Sequence, residues 1–182
     1  MTQASAKENQ TRGINRTICI GLGGTGRDVL MRIRRLIVDR YGDLNNLPIV
    51  SFVHIDTDKA ATQVTGIRTG STYHGVDLSF KEAEKVSATM SSKDVTMFVD
   101  GLERRSEYSN YGPYDHIGRW FPSGLLQDVG AIEDGAKCIR PVGRRAFFHN
   151  YQKIKTSIVT AENRTRGHES FLNILVVTPK DT

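Results

Sequence analysis

The chain reads as an α/β protein with a mainly parallel, Rossmann-like sheet flanked by helices. Three observations predict this. A short apolar run, Thr17-Ile18-Cys19-Ile20, ends in glycines, and an amphipathic helical pattern follows at once. A second run, Ile49-Val50-Ser51-Phe52-Val53-His54-Ile55, is apolar on both faces and rich in β-branched and aromatic residues. A third, Phe171-Leu172-Asn173-Ile174-Leu175-Val176-Val177, has the same character. Strands of this kind belong inside parallel sheets covered by helices. A strand–helix–strand succession makes a βαβ unit, which is right-handed.

Each element follows in order. Residues 1–16 are polar and contain no apolar segment, so they are neither a secretory signal nor a membrane span. They read as a flexible arm ahead of one domain at 17–182. A helix is predicted from Arg27 to Tyr41, with Val29, Leu30, Ile33, Leu36 and Ile37 as its apolar stripe. Arg32, Arg35, Asp39 and Arg40 then face water, and Gly42 with Asn45-Asn46 ends the helix. Residues 56–80 read as loops with an extended piece near Ser71–Leu78, and a helix is expected around Lys81–Met90. Tyr108, Tyr111, Tyr114, Trp120 and Phe121 form an aromatic cluster that reads as a satellite core pinning a long connection; base stacking is the alternative. From Val142 a second helix runs through Phe147, Tyr151, Ile154 and Ile158. The third apolar run then makes a third buried strand.

Composition bounds the function. The 182 residues suffice for one domain with a real core, and 38% hydrophobic with 25% charged residues suits a globular protein in water. No apolar run is long enough to cross a bilayer, so a cytoplasmic location and no membrane partner are predicted. Cys19 and Cys138 lie far apart in no metal-type spacing, and Cys19 reads as a small hydrophobe in a strand. The net charge is +5, with arginines at Arg32, Arg34, Arg35 and Arg40, then Arg140, Arg144 and Arg145, then Arg164 and Arg166. The first group reads as the solvated face and carboxyl half of a helix, where cations suit the dipole. No nucleic-acid module is visible, and nucleic acid is not an expected partner.

Three segments carry chemistry. Gly21-Leu22-Gly23-Gly24-Thr25-Gly26 fits G-x-G-x-x-G between a strand and a helix. Glycines there let backbone N–H groups and the positive helix end approach an anion; the other reading is a tight turn without a ligand. Asp56-Thr57-Asp58 follows the second strand, at the carboxyl end where α/β sheets bind ligands. These carboxylates suit a ribose hydroxyl or a cation on phosphates, or else they cap a following turn. The two segments are expected to be neighbours. Residues 130–145 form a third glycine-containing loop before a helix. Its arginines match phosphate oxygens or are simply solvated. His54, His74, His116, His149 and His168 show no metal spacing, and no catalytic residue is assigned.

Read together, these segments resemble the tubulin/FtsZ superfamily. Gly21–Gly26 is similar to its first phosphate loop, Asp56-Thr57-Asp58 to its second, and Glu133-Asp134-Gly135-Ala136 with Arg140 and Gly143 to its third. Over residues 17–178 the pattern most resembles the large bacterial tubulin-like proteins. The resemblance implies GTP or GDP, with Mg²⁺, and a sheet whose first strand is central. It implies that Gly21, Leu22, Gly23, Gly24, Thr25 and Gly26 hold the phosphates. Asp56, Thr57 and Asp58 would lie at the metal or phosphate edge, and Ala131, Gly135 and Arg140 near the γ-phosphate.

The chain also departs from the family's pattern. The family's second glycine-rich loop, G-G-T-G-S-G, is expected soon after the fourth strand, whereas Asn173–Val177 runs into Thr178-Pro179-Lys180-Asp181-Thr182. The later base-recognition and water-activating elements are missing too. The chain therefore resembles the amino-terminal part of such a domain, with autonomous hydrolysis in doubt. Self-association, or completion by a C-terminal polypeptide, is the expected partnership. A Rossmann-type NAD(P)-binding domain of an oxidoreductase is the alternative. It explains the glycines and an acid after the second strand. However, Asp56 lies 30 residues beyond Gly26, against about 20 in that fold, and the third loop is left unexplained. A further alternative, an assembly module that binds no nucleotide, draws on the missing second glycine loop.

Overall fold

A computed structural model of the chain describes residues 14–63, 72–107, 120–121, 130–137, 139–167 and 171–178. Residues 1–13 of the expected arm at 1–16, the loop at 64–71, and Tyr108, Tyr111, Tyr114, His116, Cys138 and His168 lie outside the described residues. The chain divides into two compact units: Met1–Ile55 with Val64–Val86 and Lys155–Thr182, and Asp56–Gln63 with Ser87–Ile154.

The first unit is built on a four-stranded sheet. Strand β1 (Arg16–Leu22) leads directly into helix α1 (Gly23–Tyr41), and β2 (Val50–Asp56) follows. A two-stranded hairpin, β3 (Thr72–Tyr73) and β4 (Val76–Asp77), turns through His74 and Gly75, both at positive φ. Strands β5 (Lys85–Ser87) and β6 (Leu172–Val177) complete the sheet in the order β5-β2-β1-β6. β1 pairs in parallel with both β2 and β6. The first strand is therefore interior, as expected.

Cys19, Leu30, Ile37, Leu47, Ile49 and Phe52 form the core of this unit, where α1 covers one face of β1 and β2. Burial pushes the Cys19 thiol from 9.0 up to about 11. The unfolded chain thus loses this proton first, so stability is complete below pH 9 and declines as pH rises toward 11. The full loss is about 3 kcal/mol. Urea unfolding at pH 8 and 10.5 is expected to show this decline in the native chain and not in Cys19→Ala.

The helix differs from its sequence pattern in three ways. It begins at Gly23, four residues early, because the glycines themselves form its first turn. Leu36, assigned to the apolar stripe, is 66% exposed, while Val38 is buried in its place. Arg34, assigned to the solvated face, is only 1% exposed. Its guanidinium lies between the rings of Phe52 and Phe80, 4.5 and 4.2 Å from their centroids. It donates to the carbonyls of Leu78 (2.9 Å) and Ser79 (2.8 Å) and to Oε2 of Glu84 (2.7 Å). That oxygen also accepts from the Lys81 amide at 2.7 Å.

The expected helix at Lys81–Met90 is instead a 3-10 turn, Glu82–Glu84, followed by β5. Glu84, Val86, Ala88 and Met90 are buried alternately, the period of a strand. β6 forms where expected, but among the described residues it is an edge strand of the sheet, and Ile174, Leu175 and Val176 are exposed rather than buried.

The second unit contains α2 (Lys59–Gln63), α3 (Ser92–Glu107), α4 (Arg140–His149) and the first turn of α5 (Tyr151–Thr165). Ser91 and Asp94 cap α3 reciprocally, each side chain accepting from the other's amide at 3.2 and 3.0 Å. The Ser91 hydrogen bonds hold the Asp94 carboxyl below its usual value. Met90, Val95, Ile132, Val142 and Ala146 form this unit's core. The single helix expected from Val142 is two helices. Asn150 ends the first, its Nδ2 donating to the carbonyls of Ala146 and Thr89. Phe147 and Tyr151, expected inside, are exposed.

Arg145 is wholly buried, with its guanidinium 3.8 Å from the Phe98 centroid and 5.5 Å from that of Phe121. Arg144 covers Trp120 at 4.4 Å. Of the aromatic cluster, Trp120 and Phe121 are thus held as packing residues. Among the described residues, no helix is long and apolar enough to cross a membrane.

Candidate functional site

The β1–α1 turn is shaped by two glycines in contact. A Cβ on Gly26 would lie 2.5 Å from the carbonyl carbon of Gly21 and 2.7 Å from its Cα. A Cβ on Gly21 would meet the Gly26 carbonyl at 2.7 Å. Only a pair without side chains lets the first turn of α1 rest on the end of β1. Gly23 and Gly24 differ: a Cβ on either meets nothing within 4 Å. Gly23 turns the chain at φ +65, a conformation that favours glycine.

Helix α1 begins without a side-chain cap on Leu22 and without an acidic residue in its first turn. The first amides of a helix have no intrahelical acceptor, so the turn presents N–H groups together with the positive end of the helix dipole. Its place in the sheet matters as much. β2 and β6 lie on opposite sides of β1, so the strand order reverses at β1, and α1 starts at its carboxyl end. Open α/β sheets bind ligands at such reversals.

His54 has no counterpart in the sequence reading beyond its lack of metal spacing. It is buried in β2, its ring stacked on Phe80 at 5.5 Å, with Nε2 3.2 Å from the carbonyl oxygen of Gly23. An imidazole inside a largely apolar strand is the available signal.

In the second unit the other two segments come together. The Gly135 amide donates to the Thr57 carbonyl (3.3 Å), the Lys59 amide donates to the Glu133 carbonyl (2.7 Å), and Asp58 and Asp134 form an antiparallel bridge. Gly135 takes φ +86. Asp58 Oδ1 accepts from the amides of Ala60 (2.8 Å) and Ala61 (3.3 Å), so Asp58 caps α2. Asp56 is buried, and its Oδ1 accepts from the Asp58 amide at 3.0 Å. Ala131 and Arg140 are exposed, Arg140 at the first residue of α4.

Among the described residues, no group of three or more His, Cys, Asp or Glu is gathered as for a metal ion. A cleft of about 660 Å³, lined by Arg34, Asp43, Pro48, Ser51 and Lys81 among others, lies at the amino end of β2. It is at the opposite end of the strand from the glycine turn.

A family model described as tubulin-like matches residues 18–179. No curated protein and no solved structure gives a match.

Proposed function

The chain belongs to the tubulin-like family, and we propose that it binds a guanine nucleotide, GTP or GDP, through the phosphates at the β1–α1 turn. The observation that carries this reading is the uncapped, acid-free first turn of α1 at the strand-order reversal. Gly21 and Gly26 bring the turn onto the strand, and the backbone of Leu22, Gly23, Gly24 and Thr25 faces the phosphates. Mg²⁺ is the cation proposed to accompany the nucleotide, since it is held by one or two carboxylates besides the phosphates and would neutralise their charge. The proposal is for binding and names no catalytic residue.

Calorimetry with GTP, ATP and NAD tests it. Weak GTP binding is expected, carried by phosphate contacts. Tight NAD binding with no response to GTP would transfer the chain to the oxidoreductase reading. Gly24→Val is expected to abolish nucleotide binding while leaving the unfolding transition in place. The added side chain finds open space and stands beside the first-turn amides. Binding that survives Gly24→Val would place the phosphates elsewhere.

The partner expected on the same reading is a second copy of the chain, met at β6. Among the described residues that strand is at the edge of the sheet, and its Ile174, Leu175 and Val176 are exposed. An uncovered apolar edge strand recruits other strands. Sedimentation across a dilution series is expected to show mass rising with concentration, and a monomer at every concentration would remove this surface from the proposal.

A further inference from the structure

We infer that His54 is a positioning residue that latches the Gly23–Gly24 peptide so that its N–H faces the bound phosphate. The inference rests on the phosphate reading of the β1–α1 turn. A carbonyl oxygen only accepts hydrogen bonds, so at 3.2 Å from Gly23 O the proton sits on Nε2 of His54. The peptide unit is planar and trans, so its N–H points opposite to its C=O. With the Gly23 carbonyl held inward by a buried ring, the Gly24 amide is directed outward.

This peptide needs a latch. Gly23 opens α1 at φ +65, and a Cβ at Gly23 or Gly24 would meet no neighbour, so no side-chain packing lies against the unit where the helix begins. A flipped peptide would turn a carbonyl dipole toward the phosphate and repel it. The His54 ring is itself immobilised, since it is buried in β2 and stacked on Phe80. The latch therefore ties the turn to the neighbouring strand and not merely to its own helix.

Two variants separate the hydrogen bond from the ring. His54→Phe keeps the aromatic stack and removes the donor. His54→Gln restores an N–H donor at a similar reach without the ring. GTP affinity is expected to fall about tenfold in His54→Phe and to return to within about threefold of the native chain in His54→Gln. A role in packing alone would give the reverse order. Unchanged affinity in His54→Phe would overturn the inference.

Nitrogen and carbon NMR of the unmutated chain without nucleotide gives a second readout that needs no folded variant. The Nε2-protonated tautomer of His54, hydrogen-bonded to the Gly23 carbonyl, is expected, and an Nδ1-protonated ring with bare Nε2 would overturn the latch. Should the native chain bind no GTP, the nucleotide reading fails, and the tautomer alone decides whether His54 holds the turn.

Discussion

Gly26→Ala is expected to leave the chain unfolded under conditions where the native chain folds. The added methyl would sit 2.5 Å from the carbonyl carbon and 2.7 Å from the Cα of Gly21, with the Val177 carbonyl oxygen at 3.2 Å. All three are backbone atoms of strands, so no side chain can swing aside. Relief requires lifting α1 off β1, which opens the contacts of Leu30 and Ile37 with Cys19 and Phe52. Ordinary overpacking costs roughly 1–3 kcal/mol, and a backbone collision exceeds that range against a total stability of about 5–15 kcal/mol. Gly21→Ala makes the same collision from the other side and is expected to behave alike. Gly24→Ala is the control: it meets nothing within 4 Å and stands at a helical position. There alanine gains up to about 1 kcal/mol over glycine. Circular dichroism through a urea titration reads all three. A native midpoint for Gly26→Ala would mean that the strand and helix do not touch through these two glycines.

Glu84→Ala is expected to cost about 3–5 kcal/mol, the usual penalty for stripping a buried cation of its partner. Burial already pulls the Arg34 guanidinium below its ordinary value, and the charge and hydrogen bond of Glu84 oppose that pull. Removing the carboxylate leaves the cation between Phe52 and Phe80 with two carbonyls for company. It also releases the Lys81 amide. Replacing both partners, as in Arg34→Met with Glu84→Leu, is expected to recover much of the loss, because the desolvation penalty disappears with the charges. Recovery stays incomplete because the Leu78 and Ser79 carbonyls lose their donor. A double-mutant cycle in urea reads the coupling, and additive effects would show that the pair is not coupled in the folded state.

Arg34 also marks the limit of what the sequence discloses. Its neighbours Arg32 and Arg35 carry the same charge, and helical spacing places position 34 beside the apolar stripe. Nothing local says that two aromatic rings and a carboxylate from distant segments will enclose it. Leu36 fails for the converse reason, since among the described residues no element covers its face, and hydrophobicity alone buries nothing. The period-2 alternation of Val86, Ala88 and Met90 was legible, yet Lys81–Met90 was expected to be helical, and the strand pairing that decided the matter is non-local. The strands β1 and β2 were readable because buried parallel strands leave an apolar run that needs no partner to be recognised. In the glycine turn, the motif disclosed that glycines were required. Which pair is in contact, and which carbonyl His54 holds, depends on the register between β1 and β2.

The pairing of β1 with β6 has a consequence for the order of folding. β1 and β2 are close in sequence and can meet early through a single intervening helix, whereas the other side of β1 waits for the last described strand. Loop closure of that span comes late and costs entropy before any contact repays it. During synthesis the central strand therefore stands half-finished, with one row of backbone groups unpaired while residues 57–171 are being made. In this state the nascent polypeptide carries an open parallel edge at the centre of its future sheet, and long-range closures of this kind slow folding.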